Sequence, residues 1–261
     1  MSEDPDTVLT AAAFGDRPDC WPLPAATTPR RLWLRAVAAG GQGRYASAVA
    51  DLAALLRDEP AGPLASLAYS TRGSFLRQLG GHDLARGLDG HALALAGDAG
   101  TARADALVGL AADALGVGRF AASAALLARA TAEAPAVPQR LAIRRHWVTA
   151  ELAMVTGDGV TAVRNAERAV ELTPATMVRH RVKSQVVLAG ALCCAGDVDR
   201  ARAVADTALA DTGRFGLVPL RWALACMLTD VGSADFTAEE LRGLRDEAAE
   251  LVRHRGGAWR A

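Results

Sequence analysis

The chain has 261 residues and no net charge, 29 basic side chains standing against 29 acidic ones. Bulk electrostatics therefore argue against a nucleic-acid or membrane partner. Half of the residues are hydrophobic (51%) and only 5% are aromatic, so Ala, Leu and Val supply the apolar surface. Ala and Leu favour helices, whereas sheets draw on Ile, Thr and aromatics; the expected fold class is all-α. Lys183 is the single lysine and the other basic residues are arginine, the mark of a GC-rich genome rather than of arginines each selected for bidentate chemistry.

The N-terminus, Met1-Ser2-Glu3-Asp4-Pro5-Asp6, is acidic where a secretory signal needs a basic region. The longest uncharged apolar run, Val186 to Gly196, falls far short of the ~20 residues that span a bilayer. Four cysteines without CxxC spacing point to neither a disulfide framework nor a zinc site. A cytoplasmic location is expected. Residues 1–27 stand apart as a tail or a cap. Val8 to Phe14 offers a turn or two of helix, and Trp21, among prolines, either hangs in solvent or covers the first hairpin.

Thr28-Pro29 is a helix-start signal, and hairpins follow across residues 28–261. The first turns at Gly40-Gly41-Gln42-Gly43 and stops at Pro60. The second turns at Gly80-Gly81. The third turns at Gly116-Val117-Gly118 and closes at Pro135. The fourth turns at Gly157-Asp158-Gly159 and stops at Pro174. The fifth turns at Gly196-Asp197 and runs to Gly213. The turn glycines Gly43, Gly80, Gly118, Gly157 and Gly196 are separated by 37, 38, 39 and 39 residues, a period that signals stacked helical repeats. Small residues after each turn (Ala48, Ala85, Ser123, Ala162, Ala201) let the paired helices approach. A last pair follows: Leu217 to Asp230, broken near its start by Pro219, then a charged capping helix to about Arg255. Its start, Thr237 with Glu240, is a capping box, and Phe236 with Leu241 a candidate staple. Gly256-Gly257 ends it and the tail is expected to fray.

This pattern resembles the tetratricopeptide repeat (TPR) family over roughly residues 29–213. The matching positions are small residues at the close crossing (Ala36, Gly73, Ala111, Ala150, Ala189), aromatics after the turn (Tyr45, Phe120), and the terminal Pro60, Pro135 and Pro174. The period exceeds the family's usual ~34 residues, and the aromatic near each repeat's start is well filled only by Tyr69. The resemblance implies a right-handed α-α superhelix, a TPR-like solenoid of about five hairpins plus a C-terminal capping pair. Its concave groove is lined by the first helix of each hairpin. Carried over by register, the groove positions include Arg30, Trp33, Arg77, Asp105, Arg144, Trp147, Glu151 and Lys183. The family's carboxylate clamp is not implied, because Val37 and Gly40 stand where it needs Asn.

No constellation for catalysis is visible. No two of the five histidines have the i, i+4 spacing of a helical metal pair, and no HExxH is present. His82 and His254 are expected in solvent. No cofactor or metal site is expected, and the chain reads as a non-enzyme. The functional signal is basic residues where helices begin. Arg30-Arg31 opens the first helix, Arg140 with Arg144-Arg145-His146 the fourth hairpin, and Arg179-His180-Arg181 with Lys183 the fifth. Cations are disfavoured at helix N-termini, so local stability does not explain them. Either the clusters meet and hold an acidic or phosphorylated segment, or acids such as Glu133 and Glu171 neutralise them. The expected function is a non-catalytic adaptor binding a peptide or partner-protein segment in the groove, with Trp33 and Trp147 as anchors or as space-fillers. Two alternatives are a sensor domain for a small ligand, like the TPR-type sensors of bacterial transcription regulators, and a scaffold subunit with a continuous basic stripe.

Overall fold

Alanine and leucine at helical spacing act as their propensities dictate. The computed structural model is helical throughout the described residues, 3–134 and 136–260, with no strand among them. Met1, Ser2 and Ala261 lie outside those residues, as does Pro135, the expected stop of the third hairpin. Thirteen helices are described: α1 (Pro5–Phe14), α2 (Pro29–Gly41), α3 (Tyr45–Asp58), α4 (Pro63–Gln78), α5 (His82–Leu95), α6 (Gly100–Gly116), α7 (Phe120–Glu133), α8 (Gln139–Val155), α9 (Gly159–Leu172), α10 (Val178–Cys194), α11 (Val198–Arg214), α12 (Val218–Val231) and α13 (Ala238–His254). From α2 onward they pair as α2–α3 through α12–α13. The thirteenth, beyond the expected pairs, is α1, a full ten-residue helix rather than a turn or two.

The hairpins form for local reasons. Thr28 accepts the Arg31 N–H ahead of Pro29, Asp158 caps α9 through the Thr161 N–H, and the Thr237–Glu240 capping box is complete. The turn glycines Gly43, Gly80, Gly118, Gly157 and Gly196 all have φ between 74° and 85°, left-handed backbone that costs glycine little. Ala36, Ala48, Ala111, Ala150, Ala162, Ala189 and Ala201 are fully buried where helices cross. Leucines such as Leu52, Leu107 and Leu209 fill the space between hairpins; each contributes about 2 kcal/mol relative to an exposed leucine. Pro219 does not break α12, because it stands in the first turn, where its missing N–H has no intrahelical partner to lose. Gly213 lies inside α11, and the turn glycine there is Gly216.

Consecutive first helices also touch: α2 with α4, α4 with α6, α6 with α8, α8 with α10, and α10 with α12. The end of the chain returns to its beginning. Ala248 and Val252 of α13, and Val218 of α12, share one core with Leu32, Tyr45, Leu52 and Leu55 of α2 and α3. Residues 257–260 are held in place rather than frayed. The Arg260 N–H donates to the Leu79 carbonyl at 2.9 Å, and Trp259 lies against Trp222 with ring centroids 4.1 Å apart. The charge of α13 suggested an outermost cap, but its apolar face is covered on both sides.

Candidate functional site on the face of the first helices

Of the groove positions carried over from the repeat register, all but the exposed Arg30 find partners, most of them on a neighbouring first helix. Between α2 and α4, Trp33 Nε1 donates to Thr71 Oγ1 at 3.0 Å. Between α4 and α6, Arg77 donates to Asp113 at 2.9 Å and also pairs with Asp89 of α5. Between α6 and α8, Asp105 accepts from both Arg140 and Arg144. Between α8 and α10, Trp147 Nε1 donates to Ser184 Oγ at 2.8 Å and Lys183 pairs with Glu151 at 3.0 Å. Trp33 and Trp147 thus fill space between hairpins and have their indole N–H groups satisfied.

The basic clusters divide. Helical geometry turns adjacent residues some 100° apart, so a run of three cations cannot share one face. Arg145 donates to the Ala134 carbonyl at 3.2 Å, His146 meets Asn165, and Arg181 pairs with Asp211 at 3.1 Å. Arg30 is exposed. Glu133 and Glu171 are not the neutralisers: Glu133 pairs with Arg103 and Arg129, and Glu171 with Arg168. Arg140 and Arg144 meet at Asp105, whereas Arg179 Nη1 donates to the Val37 carbonyl of α2 at 3.1 Å.

Into this face goes α1, which touches both α2 and α10. Leu9, Ala12 and Ala13 pack with Leu34, Val37 and Ala38. Phe14 stands 5.4 Å from Trp33 and 6.1 Å from His180, ring to ring, with the Arg140 guanidinium 5.6 Å from its centroid. The Val178 N–H, at the head of α10, donates to the Gly15 carbonyl. At the other end of α1, Asp6 pairs with Arg31 at 2.7 Å. Trp21 lies at the turn of the first hairpin, with the Arg44 guanidinium 3.8 Å from its ring centroid, and stays 43% exposed. An open cavity of about 520 Å³ lies along α1, lined by Thr7, Thr10, Phe14 and Thr176 among others.

Burial sets the electrostatics. His180, stacked on Trp147 at 5.5 Å, is held well below the ordinary histidine range, first by burial and then by Arg179, Arg140 and Arg144. Burial, followed by Arg140 and Arg144, pushes Arg179 down to about 10. Burial would raise Asp105, but Arg140 and Arg144 prevail and keep it low. Asp113 is pushed up to about 7, by burial and by the adjacent Asp89, against the pull of Arg77. His82, expected in solvent, is half-buried and lowered mainly by burial.

Asp89, Asp113 and Phe14 went unread in the sequence. A signal existed for Asp113: with Asp105 it stands on an apolar helix whose one basic residue is Arg103, and buried carboxylates need partners from elsewhere. Among the described residues no group of three or more His, Cys, Asp or Glu could hold a metal ion, and no helix is long and apolar enough to cross a membrane. Comparison of the chain with known protein families and with curated proteins finds no match.

Proposed function

We propose that the chain is a non-catalytic, TPR-like adaptor that holds a helical segment of a partner protein on the face of its first helices. The six hairpins are read as successive steps of a right-handed superhelix with that face inward, and the location as cytoplasmic, in keeping with four unpaired cysteines. The observation that carries the reading is the seat of α1. A short helix with an acid at its start and an aromatic at its end occupies this face. It is held by one ion pair to Arg31 and by the Trp33, His180 and Arg140 surround of Phe14. Partner helices bind grooves in this way, through apolar anchors one or two turns apart. The partner segment is therefore acidic at its N-terminal end and aromatic at its C-terminal end, and it competes with α1.

The test uses the full chain and a fluorescent peptide spanning residues 3–17. The variant Leu9→Ala with Phe14→Ala weakens the resident α1 and should bind the peptide at least tenfold more tightly than the unaltered chain, read by anisotropy. No anisotropy rise with either protein, both still folded by circular dichroism, would end the reading.

A second reading is a sensor domain for a small ligand. The return of the last hairpin onto the first is the observation that favours it.

A further inference from the structure

The turn of the third hairpin repeats the turn of the first. Gly43-Arg44-Tyr45-Ala46 and Gly118-Arg119-Phe120-Ala121 are one motif at equivalent places, a left-handed glycine, an arginine and an aromatic that opens the second helix. Stacked repeats present equivalent surfaces at equivalent positions, yet these two are covered unequally. At the first turn the chain covers itself. The Trp21 ring lies on the Arg44 guanidinium. Gly257 lies so close to the Tyr45 ring that a Cβ there would come within 2.8 Å of Cδ2, and Gly256 lies as close to Ala46. Both covering stretches, Cys20-Trp21 and residues 257–260, are non-helical, and Tyr45 is left 3% exposed. At the third turn nothing among the described residues does the same. Phe120 is 38% exposed beside an exposed Val117, and Gly118 has open space around it. The Arg119 side chain is exposed, with no hydrogen bond or ion pair among the described residues. Single exposed apolar side chains are ordinary. Here, however, four of the six large ones exposed among the described residues stand at two successive turns, Val117 and Phe120 at the third, Val155 and Val160 at the fourth.

We propose that Val117, Arg119 and Phe120 form a docking site for a non-helical segment of a partner protein, which lays a glycine over the Phe120 ring and an aromatic ring on the Arg119 guanidinium. The first turn shows why the occupant has this chemistry. Only a residue without a side chain approaches the aromatic as Gly257 approaches Tyr45, and a flat ring is what a bare guanidinium attracts. One position differs between the turns. Gln42 holds the Trp21 stretch by donating to the Pro18 and Cys20 carbonyls, whereas Val117 stands in its place at the third turn. The partner's aromatic is therefore held there by apolar contact with Val117 and by Arg119. This chain's own covering stretches are already seated at the first turn, so the third is left to another molecule. The inference does not rest on the adaptor reading, whose site is the face of the first helices: either can fail while the other stands.

The experiment is an NMR titration of the nitrogen-15-labelled full chain with a synthetic peptide of residues 255–260, Arg-Gly-Gly-Ala-Trp-Arg, which carries both the glycines and an aromatic. The amide signals of Val117, Gly118, Arg119, Phe120 and Ala121 should shift and saturate together. A peptide with Gly257→Val should leave them in place. Phe120→Ser should weaken binding by roughly tenfold or more, and Arg119→Ser by roughly threefold. Both side chains are exposed, so both variants should fold; if Phe120→Ser does not, Arg119→Ser and the altered peptide carry the test. Four results would each overturn the site: no shift at residues 117–121, shifts confined to residues 43–46, equal binding of the Gly257→Val peptide, or binding unchanged in the Arg119 and Phe120 variants. Shifts of the same signals on concentrating the chain without peptide would assign the turn to a second copy and overturn the partner segment.

Discussion

Arg255, one residue past the last helix, donates Nη1 to the Gln42 carbonyl at 2.7 Å, across 213 positions of sequence. The Arg255 carbonyl accepts the Ala46 N–H at 3.0 Å in return. The final residues of α13 are thus tied to the turn of the first hairpin, and the two ends of the chain stabilise each other. In an open array of repeats, stability is carried by nearest neighbours and the ends are weakest. Here the last hairpin has neighbours on both sides.

The tail should therefore contribute to stability. Trp259 packs on Trp222 and its indole N–H donates to the Ala249 carbonyl at 3.2 Å. Trp259→Ala is expected to cost about 2 kcal/mol and to lower the melting temperature by roughly 4 °C or more. Removal of residues 256–261 should do at least as much. A melt unchanged by either alteration would mean that the tail is frayed in solution.

Two helix glycines make room for one carboxylate. A Cβ added at Gly73 would come within 2.7 Å of Asp89 Oδ2, and one at Gly109 would strike the same carboxylate. Gly73→Ala and Gly109→Ala should each destabilise by about 1–3 kcal/mol, the range for overpacking. Gly87 and Gly90 are exposed helical glycines with open space around them; alanine there should stabilise by about 0.5–1 kcal/mol. Urea denaturation of the four variants tests the contrast, and a uniform sign across them would contradict the packing around Asp89.

The Asp113 carboxyl gives stability a pH dependence of known sign. Its folded-state pKa, about 7, lies above the ordinary 3.8, so the folded chain holds the proton more tightly. Its contribution is fully present below pH 3.8 and is lost as pH rises to about 7, with a slope of at most about 1.4 kcal/mol per pH unit. His180 has the opposite sign: its folded pKa is depressed, so its stabilising share is lost as pH falls below 6.5. The two oppose each other in the unaltered chain, and Asp113→Asn isolates the first. The stability difference between Asp113→Asn and the unaltered chain should shift in favour of the variant from pH 4 to pH 7 and then level off. A pH-independent difference would place the proton elsewhere.

The basic residues at the starts of α8 and α10 differ in what they support. Arg144 faces the buried Asp105, whereas Arg181 and Asp211 are 35% and 21% exposed. Arg144→Glu places two carboxylates together out of water and should cost on the order of 3–5 kcal/mol. Arg181→Glu should cost under about 1 kcal/mol. Equal losses in the two variants would show that the clusters act as surface charge alone.

The sequence by itself determined the helices, their turns and their pairing. Each depends on residues within one hairpin: Thr28 before Pro29, left-handed glycines such as Gly43 and Gly157, and small residues such as Ala48 and Ala162 at crossings. These are short-range matters of capping, backbone sterics and helical period. The tertiary structure alone decided which partner each charge finds and where the chain ends go. Asp105, not Glu133 or Glu171, receives Arg144, because the turn of a helix separates Arg144 from Arg145 and aims only the first at α6. Nothing local to Phe14 or to Trp259 says that one seats between α2 and α10 and the other against α12. Those positions rest on contacts between distant hairpins, Phe14 with His180 and the Arg260 N–H with the Leu79 carbonyl, which no local pattern encodes.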